Sequence, residues 1–387
     1  MIPKRSDDIS ESDLIALISN GVSEGRTIEY KRELPGNSDG DKKEFLADAS
    51  SFANTSGGDL IFGIDESQGL PTQLTGFQSA DADLEIRRLD SILVSGIDPR
   101  IRYLMKLVTC DAGKKVLVLR LDRSWSGPHR VIFKGYDKFY GRGPAGKYPL
   151  DVNQLRAAFT LSSTVTERIR AFRTDRIIAV SNNQTPVPFT DDPKIVLHCI
   201  PMDSFTSQRQ YDILPYFDNP ARLRPMVASG WNRRLNLEGV VSFAVHDLAY
   251  SYTQLYRNGI IEAVLGGTLA HEYQGKLVIP SVSYEQYVFQ FLPFCFQVLQ
   301  EIGANTPIVV GLTLTKTRGL LMGVESVSFQ LGHAIQEDTI ILPEAIVEDF
   351  STPPGQILKP LFDLVWNASG YPSSKNFDGD GNWINRR

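Results

Sequence analysis

The chain has 387 residues, 42% hydrophobic and 22% charged, which excludes a disordered or fibrous protein and leaves room for two domains or three small ones. Its formal net charge of −5 excludes a globally basic protein, and three widely spaced cysteines (Cys110, Cys199, Cys295) exclude a disulfide framework or a CxxC zinc site and fit a reducing compartment. No apolar run approaches the roughly 18 residues of a membrane span, and Met1–Asp8 lacks the apolar core of a signal peptide, so a cytoplasmic protein without a membrane partner is expected.

Ser10–Gly21 reads as a short helix, with Leu14, Ile15, Leu17 and Ile18 at helical spacing and Asn20-Gly21 as its stop. Thr27–Glu33 reads as a strand and Pro35–Asp41 as a polar loop. Lys42–Asn54 reads as a helix with Phe45, Ala49 and Phe52 on one face. Asp59–Ile64 is a mostly apolar strand, Ala82–Val94 a helix, and Arg102–Thr109, Lys115–Leu121 and Val131–Tyr140 are strands. Thr164-x-x-Glu167 has the form of a capping box at the head of a further helix, and Ser181–Pro193 reads as a linker. Beyond it, Lys194–Pro201, Gly239–Val245, Gly259–Leu265, Lys276–Ile279 and Ile308–Thr315 are strand-like, interrupted by one long helix, Tyr284–Ile302, whose apolar face is expected to be core. The tail Asn367–Arg387 is expected to be loosely held. The fold class is α+β: an N-terminal domain over 1–162, a helix and linker over 163–193, and a strand-rich α+β domain over 194–387 whose role as sensor, partner-binding or dimerisation module the sequence leaves open.

Charge is unevenly spread. Between residues 100 and 147 there are twelve basic residues against Asp111, Asp122 and Asp137, a local excess of +9 in a chain of net −5. Arg120, Arg123, Arg130, Lys134, Lys138, Arg142 and Lys147, with Arg26 upstream, form a candidate nucleic-acid surface. Trp125, Phe133, Tyr136, Phe139, Tyr140 and Tyr148 interleave with them and could stack on unpaired bases, or equally fill the core behind solvated strand faces. His129 lies in the same window, where it could meet a phosphate. The other four histidines are scattered.

A candidate site lies upstream. Glu29 and Lys31 are two apart on a predicted strand and so share a face. Glu24 is five residues from Glu29, and Gly25 could break the strand and swing Glu24 round. Asn54-Thr55-Ser56-Gly57-Gly58 ends a helix in a tight turn, and Asp65 follows the next strand. Three carboxylates can hold one or two divalent ions that polarise a phosphoryl oxygen and activate water, with Lys31 on the phosphate. The same residues could also form surface ion pairs. No GxxxxGK[ST] motif is present, which argues against a P-loop ATPase.

Glu24-x4-Glu29-Tyr30-Lys31, Phe52-Ala53-Asn54-Thr55-x-Gly57-Gly58-x-Leu60-Ile61-x-Gly63-Ile64-Asp65, Ser126-Gly127-Pro128-His129, Phe139-Tyr140-Gly141-Arg142-Gly143 and Leu155-Arg156-x-x-Phe159 occur in one order. Together they resemble the AlbA-like domain of the Schlafen family over roughly residues 10–162. The resemblance implies a metal site for Mg²⁺ or Mn²⁺ on Glu24, Glu29 and Asp65 and a basic groove in the 100–147 window; Lys31, from its place beside Glu29, is the further candidate catalytic residue. The resemblance also implies a metal-dependent nuclease acting on RNA such as tRNA, or on single-stranded nucleic acid, RNA ahead of DNA, with a role in antiphage defence and a defence-system partner protein. The alternative is a non-catalytic DNA- or RNA-binding regulator of the same fold. Two departures from vertebrate members stand out: the usual Cys/His zinc site is missing, and only one copy of the motif set is present, so a homodimer would supply the second lobe.

Overall fold

A computed structural model describes all residues except 5, 80, 206–209, 325–332, 379–380 and 385–387, and describes only the backbone of 112 and 162. The chain forms two units, Met1–Thr164 and Val165–Arg387.

In the first unit the elements run α1 (Glu11–Ser19), β1 (Ile28–Lys31), α2 (Asp39–Ala53), β2 (Gly58–Phe62), β3 (Ile64–Ser67), β4 (Leu70–Leu74), α3 (Ala82–Gly96), β5 (Ile97–Asp98), β6 (Tyr103–Thr109), β7 (Lys115–Leu121), β8 (Arg130–Phe133), β9 (Tyr136–Gly143) and β10 (Gly146–Pro149). One sheet has the order β1-β2-β7-β6, with β1 parallel to β2 and β7 antiparallel to both its neighbours. A second has the order β10-β9-β8-β5, and β3 pairs β4 as a hairpin. The first sheet is covered on both faces. Leu60 and Phe62 of β2 meet Phe45, Ala49 and Phe52 of α2, while Ile61 packs with Ile28, Tyr30 and Leu14 on the other side. The two-residue period of β1 therefore sends Ile28 and Tyr30 toward α1 and Glu29 and Lys31 toward α2.

The helix α2 begins earlier than the helical periodicity indicates. The Ser38 hydroxyl accepts from the Asp41 amide at 3.1 Å, and Asp39 and Asp41 sit in the first turn, so half of the expected polar loop is helix. Val131–Tyr140 is not one strand but a hairpin, turned at Lys134 and Gly135, whose φ values are 48° and 74°. The Thr164 capping box does not start a helix either. It lies inside α4 (Val152–Ser181), a 30-residue helix in which Thr164 and Glu167 are interior positions.

The second unit continues with β11 (Lys194–Pro201), α5 (Leu214–Asp218), β12 (Asn232–Leu235), β13 (Gly239–Val245), β14 (Ala249–Tyr256), β15 (Ile261–Gly266), β16 (His271–Tyr273), β17 (Lys276–Pro280), α6 (Ser281–Glu301), β18 (Ile308–Thr315), β19 (Leu321–Gly323), β20 (Thr339–Ile341), β21 (Ala345–Val347) and α7 (Pro354–Ala368). Its main sheet has the order β12-β13-β14-β15-β11-β18-β20, with β21 also on β18. One face packs on α6 and α7 through residues such as Phe291, Val298, Phe362 and Trp366. Val165, Ile169, Ile177 and Val180 of α4 are buried within this unit. The described part of the tail is held rather than loose, with 379–380 and 385–387 outside the described residues: the buried Glu285 carboxylate accepts from Trp366 Nε1 at 2.6 Å, Ser374 Oγ at 2.9 Å and Asn376 Nδ2 at 3.0 Å, and Phe377 stands edge-on to Trp383. Among the described residues no helix is long and apolar enough to cross a membrane.

Candidate functional site

The site is built on the end of β1, which forms one edge of its sheet, and on the α2 face opposite. Gly25 N donates to Ile28 O at 3.0 Å, closing a short turn that brings Glu24 back beside the strand. There Glu24 Oε1 accepts from the Tyr30 amide at 2.8 Å. Glu24, Glu29, Lys31, Glu44, Asp48, Arg142 and Lys147 line one open cleft of about 540 Å³.

Its charges are interlocked. Lys31 Nζ lies 2.5 Å from Glu29 Oε1, and the Arg142 guanidinium bonds Glu29 Oε2. Lys147 Nζ donates to Asp48 Oδ1 at 2.8 Å and also bonds Glu44. Burial works to raise the Glu29 carboxyl, but Arg142 and Lys31 outweigh it and hold the group below the usual carboxylate range. Asp48, on the buried side of α2, is pushed up to about 6 by burial and by the Glu29 charge. Glu24 is raised by burial, with the charges of Glu29 and Glu66 adding to it and the Tyr30 amide opposing. Lys31 and Lys147 are both raised, because the neighbouring carboxylates overcome the burial that opposes their charge.

Arg142 is the best-supported group in the cleft. Its side chain is 1% exposed. Nε donates to Gly25 O at 2.8 Å, and the guanidinium lies 4.1 Å from the centre of the Phe52 ring. Nη1 finds no hydrogen-bond partner among the described residues; Asp48 Oδ1 stands 3.8 Å away. The helix-ending turn is what places this arginine. Asn54 Nδ2 donates to His129 O and Tyr140 O, each at 2.9 Å, and its Oδ1 accepts from His129 N at 2.6 Å. Thr55 Oγ1 then accepts from the Arg142 amide at 3.0 Å. Asn54 and Thr55 thus stitch the end of α2 to β9, with Phe52 under the guanidinium.

The structure gathers Glu24, Glu29 and Lys31, but not Asp65. Asp65 is absent from the cleft lining, and its carboxylate pairs with Arg32 at 3.5 Å on the surface. Successive strand residues face opposite ways, and a bulge between Asp65 and Glu66 shifts the register, so Glu66 is the one whose charge acts on Glu24. Both Glu29 oxygens are engaged by cations. As the side chains stand, the set Glu24, Glu29 and Asp65 does not fit a shared divalent ion. Among the described residues no group of three His, Cys, Asp or Glu side chains is placed to hold a metal.

The basic window divides. Arg120 is not a surface contact: it is buried, with Nε on Asp59 Oδ1 at 2.7 Å and Nη2 on Asp59 Oδ2 and Ile2 O at 2.9 Å. His129 is buried, donating from Nδ1 to Pro99 O at 2.6 Å. Trp125 and Tyr140 are buried, and Phe139 stands edge-on to Phe159. Tyr148 is partly exposed. Arg142 and Lys147 belong to the cleft. Arg130 is paired with Asp98 and Asp137, and Lys134 with Asp39 at 2.8 Å. Arg26 and Arg123 are exposed, and Arg123 stacks on Trp125 at 4.3 Å. Lys138 and Lys43 flank Tyr136 at 5.3 and 5.1 Å.

Asp48 and Glu44 were missed by sequence reasoning. The available signal was their i, i+4 spacing on α2, matched by the closely spaced cations Arg142 and Lys147.

The family model Schlafen, AlbA_2 matches residues 24–151. Similar solved structures include the N-terminal domain of a RecG-related protein from Nitrosomonas europaea, 25% identical over 33% of this chain and 82% of that one with a TM-score of 0.26. Another is the DIP2311 protein from Corynebacterium diphtheriae, 20% identical over 36% of this chain and 27% of that one with a TM-score of 0.25. No curated protein matches the chain. Turn, strand and arginine all fall inside the matched span, and residues 24–151 of this chain are a Schlafen AlbA_2 domain.

Proposed function

We propose that the AlbA_2 domain binds a single strand of nucleic acid, RNA in preference to DNA, with a backbone phosphate in the cleft. The observation that carries this reading is Lys31, an ammonium 37% exposed at the cleft, with the buried Arg142 guanidinium, held by Gly25, Glu29 and Phe52, adding positive charge behind it. Lys43, Lys138 and Tyr136 offer the strand a stacking and charge platform on the same unit. RNA is the class the family resemblance favours.

Metal-dependent cleavage is the second reading. The observation favouring it is the half-buried Glu24 beside Glu29, its carboxyl raised by burial; no three described carboxylates are placed to hold an ion as they stand, so Mg²⁺ or Mn²⁺ would need these side chains to rearrange. Such an ion polarises a phosphoryl oxygen and lowers the pKa of bound water. In this chain Glu29 would have to give up an ion pair to hold it.

One experiment addresses both. Labelled tRNA and a single-stranded DNA are titrated with the protein in EDTA and in Mn²⁺, reading anisotropy for binding and a denaturing gel for cleavage. Binding in EDTA, weakened about 5- to 10-fold by Lys31→Ala, is the expected result. If neither nucleic acid binds at low salt, or if Lys31→Ala binds as wild type does, the phosphate reading is wrong. Cleavage in Mn²⁺ alone establishes the second reading.

A further inference from the structure

A second hollow opens beside the cleft and shares Lys31, Glu44 and Asp48 with it. It measures about 210 Å³, below the roughly 300–1,000 Å³ of sites for drug-sized ligands, so it takes a single planar ring system. Its walls are apolar, formed by Leu34, Pro35 and Phe45, and its charged groups are Glu33, Asp41, Glu44 and Asp48 with Lys31; Asp41 accepts from Ser38 Oγ at 2.6 Å and Lys147 bonds Glu44 and Asp48, so among the described residues Glu33 is the lining carboxylate not held by a cation or hydroxyl. Glu33 is steadied from behind, because its Oε2 accepts from the Gln78 amide at 3.2 Å.

We propose that this hollow is a nucleobase subsite selective for guanine, resting on the reading of the cleft as a phosphate site. The argument is one of donors and acceptors. Ionised carboxylates only accept hydrogen bonds. Guanine alone among the four bases presents two adjacent donors, N1–H and the N2 amino group, which a carboxylate takes as a pair, and next to them the O6 acceptor, which suits Lys31. Uracil offers a single N–H between two carbonyls, and adenine and cytosine set their amino group beside a ring acceptor. Those carbonyl and ring acceptors would face carboxylate oxygens and leave both sides unsatisfied. Bases splayed from a single strand are read in this way on their Watson–Crick edges. The shared Lys31, Glu44 and Asp48 make phosphate cleft and base hollow contiguous, as one nucleotide requires.

The test uses the full chain and labelled eight-residue oligouridine strands carrying one central guanosine, inosine, adenosine or no substitution. Inosine keeps N1–H and O6 and lacks the N2 amino group. The guanosine strand is expected to bind about tenfold tighter than all-uridine, inosine to lose most of that gain, and Glu33→Gln to bring the guanosine strand down to the all-uridine level. Equal binding of all four strands, or a guanosine preference untouched by Glu33→Gln, overturns the subsite and leaves the phosphate reading standing. No binding of any strand overturns both.

Discussion

Asp48 is an acid on the buried side of a helix, and its proton follows from its surroundings. Burial and the Glu29 charge push its carboxyl up to about 6, while Lys147 and Lys31 pull the other way. The folded chain therefore keeps this proton to a higher pH than the unfolded chain does. That contribution to stability is complete below the unfolded value near 4 and is lost as the pH rises to about 6. Asp48→Asn removes the titration, so its stability relative to wild type should improve by roughly 1–3 kcal/mol between pH 4 and pH 6.5, read from urea midpoints at each pH. Glu262 in the second unit has the opposite sign. It is fully buried and accepts from Arg176 Nε and Nη2 at 2.8 Å, His198 Nε2 at 2.9 Å and Tyr252 Oη at 2.7 Å. Burial works to raise it, but Arg176 and His198 bring it down to about 2. Its stabilisation is present above the unfolded value near 4.5 and is lost as the pH falls toward 2. Glu262→Gln leaves Arg176 without its charge partner in the interior. It should cost roughly 3–5 kcal/mol at pH 7, with the penalty shrinking in the same urea measurements as the pH falls below 4.

At the scale of elements, the turn after α2 shows what sequence reasoning catches and what it does not. The helix end, the glycines and the apolar strand β2 are legible because each has a local cause: a helical apolar period, a positive φ, and a run that fits a sheet covered on both faces. Gly57 has a φ of 67°, and a Cβ there would meet Leu121 O at 2.7 Å and Arg123 N at 2.8 Å. Gly57→Ala should therefore destabilise the first unit by roughly 2–4 kcal/mol, measurable by urea unfolding, since neither backbone group can yield cheaply. What the turn is for was not legible. Spacing suggests that it delivers Asp65, the next carboxylate along the chain. Its polar residues instead reach across to His129, 75 residues away, and to Tyr140 and Arg142 of β9, 86 and 87 residues away, by the hydrogen bonds of Asn54 and Thr55. Contacts of such separation leave no periodic trace in one sequence. The same holds for Asp48, whose place among Phe45, Ala49 and Phe52 reads as helix surface until β1 and β9 close over it. Thr164-x-x-Glu167 misleads for the converse reason: a capping-box pattern is also an ordinary interior spacing, and only the chain before it decides which applies.

At the scale of the molecule, each unit carries its own buried cluster, around α2 and the β1-β2-β7-β6 sheet in one and around α6, α7 and the larger sheet in the other. Units with separate cores unfold as separate cooperative blocks. Calorimetry should show two transitions, with Gly57→Ala lowering one and Glu262→Gln the other; a single transition moved by both variants would contradict this. The charge distribution has a consequence on the same scale. A net charge of −5 with a +9 window between residues 100 and 147 means that long-range attraction to a polyanion is weak while local contact is favourable. Much of that window is already spent on internal partners: Arg120 on Asp59, Arg130 on Asp98 and Asp137, Lys134 on Asp39, Lys147 on Asp48. Only a few cations then neutralise phosphates when a strand binds. Each contributes a slope of about −0.7 in log affinity against log salt for single strands. Binding of a single-stranded RNA should accordingly show a shallow slope, about −2 to −3 rather than the −8 that twelve cations would give. If the strand lies along Lys138 and Tyr136, Lys138→Ala should reduce it by about 0.7 and weaken affinity similarly for every sequence, as loss of a phosphate contact rather than a base-edge contact does. A slope near −8 would mean that the ion pairs seen within the unit open on binding, and a Lys138→Ala slope equal to wild type would move the strand off the β8–β9 hairpin.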